Sequence, residues 1–534
     1  MKVKKIFTTT LSLVLSASML FSLSSCGAGN KNLSGASSDS KPLVIAMTCS
    51  DIPSTDSQPT GGYEGFRFVG FQLYDGLVRW DCTQGEKASE LTPGLAESWE
   101  KSTENPLEWT FNLRQGVKFH DGTDFNADAV IFALDRVINE KSEYYNATCA
   151  GSVSSYITQI DKYEKIDDNT VKITTKEDYN YLPYDMSFIL IPSPTAVKEK
   201  GEDFINSPVG TGPYKFVSKT AGQELVLEAN EDYWGSVAKT KQVILKPIAD
   251  SSARLAALKS GEVNWAEVTP PESIESLKAD GYQVLLNSYP HVWTYELNCK
   301  TGPFADVRVR QAMSYAIDRE TLCKDIIKGC GTPLSQFCYS GSPWYDSSAE
   351  AYDYNPEKAK ELLKEAGYED GFDTTFLVPT SGSGNMWPSV MNEFIQKNLA
   401  EVGINVTIES LDWNTLITAM NTGFEGEYAD VGAMNSSYYT LFPNVFKKYF
   451  GSEGAFNIGG WSNEEYDSLI QKAQTAASDE ERDGYLIEAE GIISEELPWM
   501  FVCSDMNLRV LASNVKGFVQ PQSWFCDLTS VTVE

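Results

Sequence analysis

Histidine is nearly missing from this chain of 534 residues. There are two, His120 and His291, far apart in sequence. That scarcity works against a Ser-His-Asp arrangement. Neither H-E-x-x-H nor G-x-S-x-G occurs, so zinc-protease and nucleophile-elbow chemistry lack their motifs. None of the ten cysteines forms a C-x-x-C pair, which excludes zinc-ribbon and thioredoxin readings. Positive charge is short as well: 43 Lys and Arg stand against 74 Asp and Glu, a net charge of −31. A nucleic-acid partner needs a basic footprint, so none is expected. There is no internal repeat, and no Pro/Gly/Ser linker interrupts residues 43–534. This suits lobes interlaced by chain crossings better than separate beads. No enzyme is expected, although two of the many acids could meet as a catalytic pair, which geometry would decide.

What is present begins with a leader. Lys2, Lys4 and Lys5 precede an uncharged run from Ile6 to Leu23. Hydroxyl residues break the run and no stop-transfer pattern follows, so residues 1–26 read as a secretory signal and not a membrane span. The end of the leader, Leu23-Ser24-Ser25-Cys26, resembles a bacterial lipobox. That resemblance implies lipid attachment at Cys26. Residues 27–42 are rich in Gly, Ser and Asn and read as a flexible tether. The remaining nine cysteines are widely spaced and read as small buried apolar residues. With 42% hydrophobic and 12% aromatic residues, the body can fill real cores, and its length calls for about two to four units.

The stretch from Pro303 to Leu322 (PFADVRVRQAMSYAIDRETL) is the best organised. Asp306 is an N-cap type. Val309, Ala312, Met313, Ala316 and Ile317 follow at helical spacing as one apolar stripe. Arg308, Arg310, Asp318 and Arg319 flank it and read as a solvated face. From Trp109 to Val137 the pattern runs strand, tight turn at Gly116–Gly122, then a helix capped by Asn126. Leu43 to Met47 reads as a buried first strand and residues 50–65 as loop. Strands are expected at Glu224–Ala229, Gln242–Ile248 and Ile404–Glu409. Asn355-Pro356 starts a helix ended by Gly367. Ser462-x-x-Glu465 reads as a capping box. Ser207–Phe216 (SPVGTGPYKF) holds Gly210, Gly212 and Lys215, but lacks Walker spacing, and Pro213 removes an amide that a phosphate loop would use. His120 reads as a turn histidine bonded to backbone and not as a metal ligand.

These blocks resemble those of the extracellular solute-binding proteins, family 5, of oligopeptide and dipeptide ABC importers. Residues 303–322 and 109–137 carry most of the likeness. LTPGLAESWE (91–100), SPVGTGPYKF (207–216, in the family a hinge-proximal turn), NEDYW (230–234) and SGEVN (260–264) add to it, and the whole spans about residues 43–530. The resemblance implies an α/β, two-lobed periplasmic-binding-protein-like fold of type II, with the extra subdomain of the oligopeptide-binding group. Residues 43–80, 209–290 and 505–534 would form lobe I, 81–208 the inserted subdomain and 291–504 lobe II. It implies capture of an oligopeptide or dipeptide in an interlobe cleft and delivery to an ABC permease and ATPase complex. The protein would be a monomer outside the cytoplasm, tethered to the membrane by its N-terminal lipid, with no cofactor and no metal. The same role for another solute such as an oligosaccharide, or a peptide-pheromone receptor, stays open.

In peptide-binding members an extended peptide adds between strand edges of the two lobes. The matching positions here are Asn264–Val268, with Trp265 and Glu267, and the crossings at 293–298 and 501–506, with Trp293 and Tyr295. Trp413 matches the Trp of the family's "dW" block. Asn435, Tyr438 and Tyr439 lie where the family often places a Trp and an Asp before a Pro. That Asp pairs with the peptide's α-ammonium, and a desolvated charge needs such a partner. Counting back from Pro443, Tyr439 stands at the Asp and Ser436 at the Trp, with no carboxylate between Asp430 and Pro443. Either another acid serves, or the ligand has no free ammonium there.

Overall fold

The computed structural model describes residues 41–60, 62–382 and 384–534. The leader, Cys26 and nearly all of the tether lie outside the described residues. The chain from Leu43 builds a seven-stranded sheet in the order Gln283–Leu285, Arg509–Leu511, Trp265–Glu267, Leu43–Met47, Gln242–Pro247, Glu224–Ala229, Tyr214–Thr220. Leu43–Met47 runs parallel to both of its neighbours, and the other pairs are antiparallel. A six-stranded sheet has the order Gly331–Pro333, Trp499–Asp505, His291–Leu297, Val431–Tyr439, Phe372–Pro379, Ile404–Leu411. An antiparallel four-stranded sheet joins Ala96–Lys101, Glu108–Leu113, Thr170–Thr175 and Ile160–Asp167.

The chain leaves the seven-stranded sheet after Leu285 and returns to it at Arg509. The crossings are therefore the short segments 286–290 and 506–508. Residues 293–298 and 501–506, expected to cross, fall mostly inside the six-stranded sheet. The two true crossings bind each other: Asn287 N–H donates to the Met506 carbonyl at 2.9 Å, and the Tyr289 hydroxyl donates to Asp505 at 2.8 Å. Asn507 sits at φ +50°, in the left-handed region that Asn tolerates better than most residues.

Local signals explain most of the helices. Asn126 accepts from the Asp128 and Ala129 amides ahead of helix Ala127–Ile138, and Asn355 from Lys358 ahead of Pro356–Glu365. Helix Glu464–Gln474 is capped by Asn463, not by Ser462. Asn463 satisfies the Tyr466 amide, so the chain enters the helix one residue later than the capping-box pattern suggests. Residues 50–65 are not all loop: a helical turn begins at Gly62–Gly65 and continues through Phe66–Gly70.

Helix Val307–Ala316 is capped by Asp306 as expected and Arg308 is exposed, but Arg310 and the following Arg319 are not solvated. Arg310 and Arg319 are 4% and 6% exposed. Arg310 donates to the carbonyls of Phe304, Ala305 and Glu496. Arg319 donates to those of Leu334, Phe501 and Ser314, tying the helix end to the central strand Trp499–Asp505. A guanidinium has five donors in a fixed fork, so it can gather several carbonyls that no water reaches. His120 works similarly. Its Nε2 donates to the Gly212 carbonyl at 3.0 Å, and its Nδ1 accepts from the Gly210 amide at 3.3 Å. A Cβ on Gly210 would lie 2.1 Å from the Leu73 carbonyl oxygen, so that glycine is there for close backbone contact. Replacing Arg319 with Ala should lower the stability of the fold by about 3 kcal/mol, because several buried carbonyls lose charged donors. A melting temperature equal to that of the parent protein would contradict this.

Candidate functional site

The aromatic cavity, the main one by its lining and not by its size, measures about 290 Å³, just below the roughly 300–1,000 Å³ usual for small-molecule sites. Its wall draws on all parts of the body. Tyr63 and Phe66 come from the helical turns after the first strand. Ser152, Ser155 and Tyr156 come from the segment beside the four-stranded sheet. His291, Glu296 and Ser436–Tyr439 come from two adjacent strands of the six-stranded sheet. Helix Trp413–Thr422 adds Trp413, and the stretch beyond Val431–Tyr439 adds Lys448, Tyr449 and Phe456.

The wall is mostly aromatic. Tyr438 packs on Trp499 and Tyr449, with ring centres 4.5 and 4.8 Å away. Tyr439 packs edge-on against Phe442 and Tyr63 at 5.3 and 5.4 Å, and its hydroxyl pairs with Ser523 at 3.1 Å. Asp412 caps the helix that carries Trp413, accepting from the Asn414 and Thr415 amides. This fixes the first turn and holds the indole at the cavity.

Trp413, Tyr438 and Tyr439 thus line one cavity. The other sequence candidates do not. Trp293, Tyr295, Asn435 and Trp265 are fully buried, and their polar atoms are spent inside the core. Trp293 donates to the Asn385 carbonyl, Tyr295 to Asn392, and Asn435 to the Thr294 carbonyl. Trp265 donates to Glu267 at 2.6 Å. Glu267 lies between Arg67 at 3.0 Å and Arg509 at 3.3 Å, on the wall of a second cavity of about 410 Å³. Two guanidinium groups already satisfy that carboxylate.

The expected free strand edges are also largely missing. Trp265–Glu267 pairs with Leu43–Met47 on one side and Arg509–Leu511 on the other. His291–Leu297 pairs with Val431–Tyr439 and Trp499–Asp505, and the latter also pairs with Gly331–Pro333. Trp293–Glu296 has both edges occupied, so a peptide cannot extend the sheet there, while Glu267 lacks a strand partner on the Leu43–Met47 side and Trp499–Phe501 on the Gly331–Pro333 side.

Sequence reasoning missed Glu296 and Lys448. Among the described residues, Glu296 is the only acid on the main cavity wall, and Lys448 the only lysine. Burial pushes Glu296 up to about 8, against the lowering effect of the Tyr438 hydroxyl bonded to it. Burial pulls Lys448 down to about 8, opposed by Asp185. The signal for Glu296 was available: it is a lone carboxylate in the otherwise uncharged run VWTYELN.

A two-lobed α/β body with a cavity lined by aromatic side chains fits the class of extracytoplasmic solute-binding receptors. Residues 90–457 match the family model for bacterial extracellular solute-binding proteins, family 5. The chain belongs to that family, the solute-binding component of ABC importers, whose members bind solutes and are not enzymes. It is 30% identical over 496 residues to the heme-binding protein A of Haemophilus influenzae, covering 87% of each chain. It is 29% identical over 473 residues to the dipeptide-binding protein of Escherichia coli, covering 84% of this chain and 86% of the relative. The structure of the Helicobacter pylori binding protein DppA with the peptide STSA superposes with a TM-score of 0.79 at 25% identity, covering 92% of this chain and 98% of that one.

The buried acids make stability depend on pH. Burial pushes Glu296, Asp185 and Glu490 each to about 8. Between pH 6.5 and 8 the folded protein holds protons that the unfolded chain has already released, so stability falls as pH rises. His120 and His291, lowered by burial to about 4 and about 3, have the opposite slope, but only below their ordinary value of 6.5. The melting temperature should therefore drop from pH 6.5 to 8, and less steeply in Glu296→Gln. A flat or rising curve in the parent protein would rule this out.

Proposed function

We propose that this protein captures a short peptide or a solute of similar size in the main cavity and hands it to an ABC permease and its ATPase. The observation that carries this reading is the origin of the wall. Tyr63 and Phe66, Tyr156, and Trp413 with Tyr438 come from three separate parts of the chain. A solute touching all of them favours the closed arrangement by its differential affinity. Hinge motion would centre on segments 286–290 and 506–508. In this reading residues 43–80, 209–290 and 505–534 form one lobe, 81–208 the subdomain and 291–504 the other lobe, working as a monomer. The strand membership of the two large sheets supports that division. The dipeptide-binding relative and the peptide-bound DppA support a peptide, beside a heme-binding relative of similar identity. The aromatic faces of Trp413 and Tyr438 also suit a sugar ring, which keeps an oligosaccharide as the second reading.

A thermal-shift screen against di- to hexapeptides and, separately, oligosaccharides tests this. A ligand at a hundred times its dissociation constant stabilises the protein by about 2.7 kcal/mol. Trp413→Ala should weaken the responding ligand about tenfold or more. Silence from both sets would sink the reading.

Cys26 carries the lipid in this proposal, and residues 27–42 tether the body to the membrane. Among the described residues no helix is long and apolar enough to cross a membrane. Cys26→Ser should move the protein from the membrane fraction to the soluble fraction of the expressing cell. Unchanged membrane association would remove Cys26 from that role.

A further inference from the structure

Glu296 has an unusual position for a carboxylate. It sits in a strand flanked on both sides, within the six-stranded sheet, and is fully buried. Its Oε1 accepts from the Tyr438 hydroxyl, while its Oε2 has no hydrogen-bond partner. Among the described residues, no Lys or Arg forms an ion pair with it. Lys448, on the same cavity wall, lies over the rings of Tyr156 and Phe456 at 5.0 Å, and the acid that acts on it is Asp185.

An acid in such a place costs the fold stability, because burying a carboxyl without a full set of partners is unfavourable. An apolar side chain of similar size would serve packing better. The surroundings add a second indication. Tyr438, Tyr449, Tyr156 and Trp413 present aromatic faces to the same cavity, and such faces attract cations. A carboxyl oxygen with no hydrogen-bond partner complements an organic cation, which reaches it once the surrounding rings part, because the oxygen is closed off from solvent. Backbone pairing along Trp293–Glu296 cannot replace it as an anchor, since both edges of that strand are occupied, whereas Val431–Tyr439 is paired on its second side only at Val431–Met434.

We propose that Glu296 is the specificity-determining acid of the cavity, holding an ammonium group of the solute while the aromatic wall takes its apolar part. This rests on the reading of the main cavity as the solute site. It narrows the solute to compact molecules with a free amine, short unblocked peptides being the natural class. Burial keeps Glu296 protonated at neutral pH in the empty protein. When the ammonium docks, the carboxyl O–H bond breaks, the proton passes to the buffer and a carboxylate–ammonium pair remains. Tyr438 and Tyr449, the phenols that face Glu296, are held well above 10 by burial and stay neutral throughout. Lys448, brought to about 8, is the other cavity group that titrates near neutral pH, since burial lowers His291 to about 3, so proton release is read as a difference from Glu296→Gln.

The experiment uses three peptide sets of identical sequence: unmodified, N-acetylated and C-amidated di- and tripeptides. Binding to the parent protein, Glu296→Gln and Tyr438→Phe is followed by thermal shift and by calorimetry in buffers of different ionisation enthalpy. The unmodified and C-amidated sets should bind and the N-acetylated set should not. Glu296→Gln should weaken binding about 30-fold or more and abolish the proton release. Tyr438→Phe should retain discrimination against acetylation. Equal binding of N-acetylated peptides to the parent protein overturns the proposal even if Glu296→Gln fails to fold. Undiminished binding of unmodified peptides to a folded Glu296→Gln does the same. If no peptide set binds but oligosaccharides do, the amine assignment falls and the receptor reading stands. If neither class binds, the reading of the cavity falls with it.

Discussion

Two short crossings carry every covalent link between the seven-stranded and six-stranded sheets. Segments 286–290 and 506–508 lie side by side, joined through Asn287 and Met506 and through Tyr289 and Asp505. Because the chain passes between the sheets at this one place, whatever else holds them together must be non-covalent and can be remade. The stacked rings of Tyr289, His291 and Trp524 stand at the same place, with centres 5.0 to 5.8 Å apart. Trp524 lines both the main and the second cavity. A rotation about the crossings would therefore reshape both cavities through a single packed group, which is how small hinge changes become closure.

The buried charges fall into two kinds, and the difference is physical. Arg310, Arg319 and Arg254 are fully used by carbonyl oxygens, and Glu267 by two guanidinium groups. These clamps hold strands and helices in register, and removing either partner leaves an uncompensated group behind. Glu296 is not of this kind. One of its oxygens is bonded by a phenol and the other by nothing, although it lies in a well-paired sheet. The fold tolerates this local cost because so many other buried polar groups around it are paired.

Much of the architecture was legible in the sequence. Asn126, Asp306, Asn355 and Gly261 act at helix ends as their types suggest, because capping is a local interaction between a side chain and the next few amides. The buried fates of Arg310 and Arg319 were not legible. Periodicity places them off the apolar stripe, and only the tertiary position of the carbonyls of Glu496, Leu334 and Phe501 brings acceptors to them. Three of the candidate site residues, Trp413, Tyr438 and Tyr439, do line the cavity. Trp293, Tyr295, Asn435 and Trp265 do not, since aromatic and amide side chains in strands look the same in sequence whether they face a cavity or a core. Strand order decided the matter, and strand order is non-local.

Tyr439 and Glu296 make the last point, because one is not a simple exchange for the other. In the sheet register His291 lies opposite Tyr439, and Glu296 lies opposite Met434. Five residues of strand separate Glu296 from the position paired with Tyr439, a distance of about 16 Å along the sheet at ~3.3 Å per residue. The odd separation also turns the two side chains to opposite faces of the sheet, so an ammonium held at Glu296 would not take the place of one held at the Asp that the family resemblance implies. The place vacated by that Asp is filled by a ring packed against Tyr63, Phe442 and Phe525. A packed ring where the family resemblance implies an acid, and a carboxyl on the facing strand instead, would on the proposed reading turn the amine end of a solute away from the place that the family's Asp occupies.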